Sequence, residues 1–364
     1  LELGTVAASQ ASVAVEVDNM KLRTLTVLAL SQLMWLAACG EAEKSEQDFF
    51  QGRPSVVNGL VQANQDQWLI PQIPQEARGK YDRVIGFGDS LSDTGNLNRN
   101  TLGVFVNKRV YWEGRWSNGP VWMEYLSKAL NARLENYAVG AAETREKASI
   151  GPDRLVIPGL GRQIDQFLRD NGKAKLDRSL VAVWIGANNY LFEGNSDPTQ
   201  AVADIRAGLE RLVQSGAKDL LVGRVGDLSN VDNTSKTREQ LKALGPEHNR
   251  QLDLVLVELR AKYPNVTFRS FRSDEETKAQ VNELDFYEFR DTTNRCYNGD
   301  LFGNFTGEEK LCDDYQGIRL WDNVHPNTKA HCYYAVQALE DLSLPIDRLA
   351  LIERCRELDP KRPR

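Results

Sequence analysis

The chain of 364 residues holds three histidines, and one of them stands where acid–base chemistry can use it. His325 lies in Trp321-Asp322-Asn323-Val324-His325-Pro326, three residues after a carboxylate. One turn of loop can set Asp322 on the imidazole Nδ1 and leave Nε2 facing a serine hydroxyl. Pro326 fixes the chain as it enters a helix predicted to begin near Asn327. The serine suited to this partner is Ser90, in Gly86-Phe87-Gly88-Asp89-Ser90-Leu91-Ser92-Asp93-Thr94-Gly95-Asn96. Small residues after an apolar run allow a tight strand-to-helix turn, with the hydroxyl exposed and free N–H groups of the helix start around it. A serine nucleophile that must stabilise an oxyanion needs that setting. Asp89, Ser90, Ser92 and Asp93 are also good helix N-caps, so these residues alone leave cap and nucleophile equally open. His248 opens a long amphipathic run and His331 falls inside a helical stretch beside Cys332; both read as packing or surface residues.

These groups need a frame. Short β-rich runs occur at Arg83–Phe87, Leu134–Val139, Leu180–Ile185, Asp219–Gly223 and Asn265–Phe268, and several are apolar almost throughout. Such runs suit a parallel sheet covered on both faces. Helical patterns lie between them, at about 117–130, 160–171, 198–215 and 237–262. The alternation predicts an α/β class, a three-layer α/β/α domain with a central, mostly parallel five-stranded sheet and right-handed crossovers. Ligands in such sheets bind beyond the carboxyl ends of the strands, where Ser90 would sit.

A net charge of −6 speaks against a nucleic-acid partner, and no glycine-rich phosphate loop or internal repeat is visible. Residues 1–39 read as an upstream extension and a secretory signal, with a basic start at Met20-Lys21-Leu22-Arg23 and an apolar stretch from Leu25 to Ala38. That stretch is short of the ~20 residues a membrane span needs. Its end, Leu36-Ala37-Ala38-Cys39-Gly40, resembles a bacterial lipobox, which implies lipidation of Cys39 and an N-terminal membrane anchor. Gly40 in place of Asp favours the outer membrane in a Gram-negative host. The expected location is therefore outer membrane or periplasm, or secretion if the signal is plain. Residues 40–79 read as a tether and lead-in, and 80–358 as the folded domain. Cys296, Cys312, Cys332 and Cys355 suit two disulfides in an exported protein. Four cysteines allow three connectivities, of which Cys296–Cys312 with Cys332–Cys355 is preferred. A zinc site is the weaker reading, since no Cys-x-x-Cys pair occurs. No metal or cofactor is expected, and the oligomeric state is not legible.

The run Phe87 to Asn96 resembles the first block of the GDSL, or SGNH, hydrolases. Asn136-Tyr137-Ala138-Val139-Gly140 resembles their second block, Ile185-Gly186-Ala187-Asn188 the third, and Asp322-Asn323-Val324-His325-Pro326 the last. Arg115-Trp116-Ser117-Asn118-Gly119-Pro120 resembles a segment between the first two. The blocks stand in family order over about 80–340. The resemblance implies Ser90 as nucleophile, Asp322 and His325 as its acid–base pair, and an oxyanion held by Ser90, Gly140 and Asn188. Two positions depart from the pattern: Ala141 stands where a second glycine is common, and Asn189 where Asp is common.

Within that family the sequence is most similar to bacterial phospholipases and glycerophospholipid–cholesterol acyltransferases. It shares with them Ser92-Asp93-Thr94-Gly95-Asn96, the segment around Ser117 and a cysteine-bearing stretch, here about 290–315. The resemblance implies cleavage of an acyl ester, with phospholipid or lysophospholipid as the expected substrate. An esterase for acetylated sugars or small aliphatic esters is the alternative, and an inactive surface-binding protein a remote one. Tyr111, Trp112 and Trp116 are candidates to line an acyl groove, and the Cys296–Cys312 segment is a candidate gate.

Overall fold

The computed structural model describes residues 55–57, 73–74, 78–150, 155–172, 176–191, 196–231, 234–301 and 310–358. The proposed signal, the lipobox with Cys39 and most of the tether lie outside the described residues. So does the stretch 302–309 within the Cys296–Cys312 loop.

The elements in chain order are β1 (Ser55–Val57), β2 (Arg83–Gly88), α1 (Asn96–Asn100), α2 (Trp122–Ala129), β3 (Arg133–Asn136), β4 (Lys147–Ile150) and β5 (Leu155–Pro158). They continue with α3 (Leu160–Asn171), β6 (Ser179–Trp184), α4 (Asn188–Leu191), α5 (Thr199–Gln214), β7 (Asp219–Gly223), α6 (Arg238–Lys262) and β8 (Thr267–Phe271). Last come α7 (Ser273–Asn282), α8 (Leu284–Tyr287), β9 (Asp291–Arg295), β10 (Ile318–Leu320), α9 (Thr328–Asp341) and α10 (Arg348–Arg356).

The main sheet has the order β1-β3-β2-β6-β7-β8. Its five strands β3, β2, β6, β7 and β8 are parallel, and β1 adds a short antiparallel edge from the lead-in segment. Side chains alternate across this sheet. Val84, Leu180, Ala182, Trp184 and Leu221 pack on one face with α2, α9 and α10. Ile85, Phe87, Val181, Val183, Leu220 and Val222 pack on the other with α3, α5 and α6. Both faces are buried, which is why β2 and β6 read as apolar runs. The result is the expected three-layer α/β/α architecture.

The strand expected at Asn265–Phe268 is observed at Thr267–Phe271, and two further boundaries that differ bear on the site. The helix predicted from 117 starts at Trp122. Ser117-Asn118-Gly119-Pro120 precedes it as a connector bound to the start of α9: Ser117 Oγ donates to Pro326 O, and Asn118 Oδ1 accepts from Thr328 N. The strand predicted to reach Val139 ends at Asn136, whose side-chain oxygen accepts from Ala138 N and turns the chain. The cysteines pair as Cys296–Cys312 and Cys332–Cys355. The second bridge ties α9 to α10 across 23 residues, worth about 3 kcal/mol in the chain-entropy account.

Candidate active site

β2 delivers Ser90 beyond the carboxyl end of the sheet. The last peptide of the strand is clamped: Gly88 N donates to Gln163 Oε1 at 2.9 Å, and Gln163 Nε2 donates to Gly88 O at 2.8 Å. The chain then turns sharply, with Ser92 N and Asp93 N both donating to Asp89 O. Ser90 is buried but lines a cleft. Burial pushes the Asp89 carboxyl beside it up to about 7.

The loop after β10 brings the other two groups. His325 Nε2 lies 2.7 Å from Ser90 Oγ, and His325 Nδ1 lies 2.7 Å from Asp322 Oδ2. Asp322 is held by its own loop, since Oδ1 accepts from Val324 N at 2.8 Å and His325 N at 2.7 Å. Tyr111 Oη donates to Asp322 Oδ2 at 2.8 Å. Burial acts to raise the Asp322 carboxyl, but His325 and the two amides outweigh it and hold it below the ordinary carboxylate range. Trp116 stacks on the His325 ring, with centroids 5.1 Å apart and planes 29° apart. The three residues Ser90, Asp322 and His325 therefore form one hydrogen-bonded line.

The donors around Ser90 differ from expectation at one position. Gly140 N does not face the cleft; it donates to Asp93 Oδ2 at 2.8 Å. Gly140 is glycine for packing: a Cβ there would overlap the Trp116 indole nitrogen. The next residue, Ala141, lines the cleft instead, with its backbone in the left-handed region at φ 63°. Among the described residues no acceptor takes the N–H of Ala141 or of Ser90. Asn188, at the start of α4, also lines the cleft and gives one amide hydrogen to Ala142 O at 2.9 Å. Its second amide hydrogen remains available. Asn189 does not enter this group; it bridges to Thr144 through both amide atoms, fixing the loop that carries Ala141.

Asp93 is the residue that sequence reasoning passed over. Its carboxylate accepts from Gly95 N, Asn96 N, Leu97 N and Gly140 N at 2.5–3.1 Å. Burial raises its carboxyl, and these amides oppose the rise. Its place in the serine motif marked it as a cap, but nothing local marked a bond to a loop 47 residues away. The other two histidines are buried off this line. His248 Nδ1 shares a 2.6 Å hydrogen bond with Tyr190 Oη, and both ring nitrogens of His331 lack partners among the described residues. Burial lowers them to about 4 and about 3 respectively.

The cleft holds about 240 Å³ of empty space, the open solvent at its mouth included. Ser90, Ala141, Asn188 and His325 form its polar side, and Trp116, Leu301 and Val324 its apolar side. Of the three aromatics expected to line a groove, Trp116 does so, while Tyr111 and Trp112 are not among the described lining residues.

The profile of the family described as GDSL-like Lipase/Acylhydrolase matches residues 84–336. The chain belongs to that family. This GDSL protein is similar to a phosphatidylcholine-sterol acyltransferase of Aeromonas hydrophila, at 28% identity over 70% of this chain and 88% of the relative. It is also similar to a thermolabile hemolysin of Vibrio parahaemolyticus, at 27% identity over 72% of this chain and 64% of the relative. Among solved structures, a lipolytic G-D-S-L family protein of Veillonella parvula aligns with a TM-score of 0.40 at 15% identity, covering 72% of this chain and 98% of that one.

Proposed function

We propose that this GDSL protein cleaves acyl esters through an acyl-enzyme on Ser90, and that its acyl donor is a phospholipid or lysophospholipid. The observation that carries the first part is the line Asp322–His325–Ser90 ending at a cleft with three spare donors. Asp322 orients His325, whose Nε2 takes the Ser90 proton as Oγ attacks the ester carbonyl. The carbonyl oxygen becomes an oxyanion, held by the N–H groups of Ser90 and Ala141 and the free amide hydrogen of Asn188. His325 then protonates the leaving alkoxide, the acyl group stays on Ser90, and water or another alcohol resolves it by the same steps in reverse.

The lipid reading draws support from the Aeromonas relative, whose name specifies phosphatidylcholine and a sterol. It also draws support from the lipobox at Cys39, which we read as an anchor in the outer membrane or a periplasmic leaflet, alongside phospholipid. The family match does not name the acyl group, which leaves a second reading, a short-chain aliphatic or sugar acetyl esterase.

A fluorophosphonate should label the wild-type protein and not Ser90→Ala, while both keep the same fold. Labelling of Ser90→Ala at the wild-type level overturns the nucleophile. Fatty-acid and sterol-ester analysis on phosphatidylcholine vesicles, with and without cholesterol, separates hydrolysis from acyl transfer. Activity confined to acetyl and butyryl esters overturns the lipid reading and supports the second.

A further inference from the structure

The connection from β2 to α2 carries more than Ser90. After α1 it forms a turn at Thr101–Val106 whose apolar tip points into solvent. Leu102 is 93% exposed and Val104 62% exposed, with Phe105 half-buried behind them. The tip is not loose chain: Leu102 N donates to Arg99 O, Gly103 N to Asn98 O and Val104 N to Thr101 O, at 2.7–3.1 Å. Leu102 is held in the left-handed region at φ 53°, which leucine rarely adopts. A turn that fixes its amides and strains a leucine in order to expose it calls for a role.

The charge around the tip is one-sided. Residues 97–112 contain Arg99, Lys108 and Arg109 and no acidic residue, in a chain of net charge −6. Lys108 Nζ lies over the tip, 3.8 Å from where a Cβ on Gly103 would stand. Other exposed large apolar residues lie on helices that carry acids and ion pairs: Leu254 and Val257 on α6 adjoin Asp253 and Glu258, the latter paired with Arg206. The root of the tip reaches the catalytic line directly. Leu97, Val106, Val110 and Tyr111 pack in one cluster with Trp116, which stacks on His325.

We propose that Leu102 and Val104, flanked by Lys108 and Arg109, dock the protein on an anionic phospholipid surface. The apolar side chains enter the acyl boundary while the two cations meet lipid phosphates. The proposal rests on the lipid reading above and gives it a place of contact.

The test uses flotation with vesicles of equal parts phosphatidylcholine and phosphatidylglycerol, in a Ser90→Ala background so the lipid persists. L102D/V104D should weaken binding roughly thirtyfold or more, and K108E/R109E roughly tenfold or more, the latter fading at high salt. With Ser90 intact, both variants should cleave p-nitrophenyl acetate at the wild-type rate and lose activity on vesicles. Equal flotation of L102D/V104D and the Ser90→Ala parent overturns the proposal. Loss of soluble-ester activity in L102D/V104D overturns it as well, as does a wild-type dimer that this variant dissociates. A parent that floats while Ser90-intact protein releases no fatty acid supports docking and overturns the lipid substrate. Cleavage of monomeric dihexanoylphosphatidylcholine by a protein that ignores vesicles does the reverse.

Discussion

Tyr111 donates its phenol hydrogen to Asp322 Oδ2, the same oxygen that holds His325 Nδ1. The two residues are 211 positions apart and both are buried. Burial, and then the Asp322 charge, raise the Tyr111 phenol well above its ordinary value, so it stays a donor at every working pH. Tyr111→Phe leaves a buried carboxylate oxygen one donor short, at a cost of about 1–3 kcal/mol in stability. Its kcat should fall roughly tenfold with KM nearly unchanged, because the phenol orients the acid–base pair rather than the substrate. Thermal unfolding and steady-state kinetics on a soluble ester check both; a variant unchanged in kcat shows that the loop amides alone position Asp322.

In the proposed mechanism Asn188, which lines the cleft, gives its second amide hydrogen to the oxyanion. Asn188→Ala should lower kcat by ~10²–10³ and leave KM almost unchanged. A rise in KM with constant kcat would instead make Asn188 a ground-state binding residue.

Asp93 joins the serine turn to the Ala141 loop through four backbone amides. Asp93→Asn swaps one acceptor oxygen for a donor that faces amide hydrogens. The expected loss is on the order of 2–4 kcal/mol of stability, from buried amides left without acceptors. Activity should drop further than that of a distant variant matched for stability, since Ala141 is displaced with Gly140. Denaturant unfolding paired with kcat measured well below the transition tests this; full activity in a destabilised Asp93→Asn would leave Asp93 a purely structural hub.

His248 and His331 each make the fold more sensitive to acid. Both are buried and neutral, lowered to about 4 and about 3, so the unfolded chain binds protons first as pH falls below 6.5. Their contribution to stability is therefore complete above about pH 6.5 and is lost as pH drops toward 4 and then 3, while Asp89, raised to about 7, works in the opposite direction as pH falls from 7 to 4. At ~1.4 kcal/mol per unit, the two contribute roughly 3 and 5 kcal/mol to that loss. Measured against wild type, His331→Leu should gain about 3 kcal/mol of relative stability between pH 7 and pH 4. A difference between the two proteins that stays constant from pH 7 to 4 contradicts the assignment.

Much of this was legible in the residues themselves. The five parallel strands follow from apolar runs buried on both faces, and α3 was predicted at its observed span, 160–171. Asp322 and His325 could be read because a three-residue loop spacing holds them together. The Gly140 assignment failed for a physical reason. Which of two adjacent amides is left free depends on the backbone torsions at 140 and 141: Gly140 N is taken by Asp93, and the left-handed Ala141 lines the cleft. Ala141 stood at the motif's second glycine position, and a glycine preference there was the one hint of a positive φ. Asp93, Gln163 and Tyr111 act across distances of 47, 75 and 211 residues, which no local pattern encodes.

The 235 residues between Ser90 and His325 also order events in time. A chain synthesised or exported from its N-terminus presents the serine turn long before an imidazole stands beside it. Until α9 docks and carries the His325 loop onto the sheet, the Ser90 hydroxyl is an ordinary alcohol with no base to activate it. A growing or truncated chain thus carries the serine without its base. Latency is written into chain order, and arrival of the loop that carries Asp322 and His325 is the event that arms it.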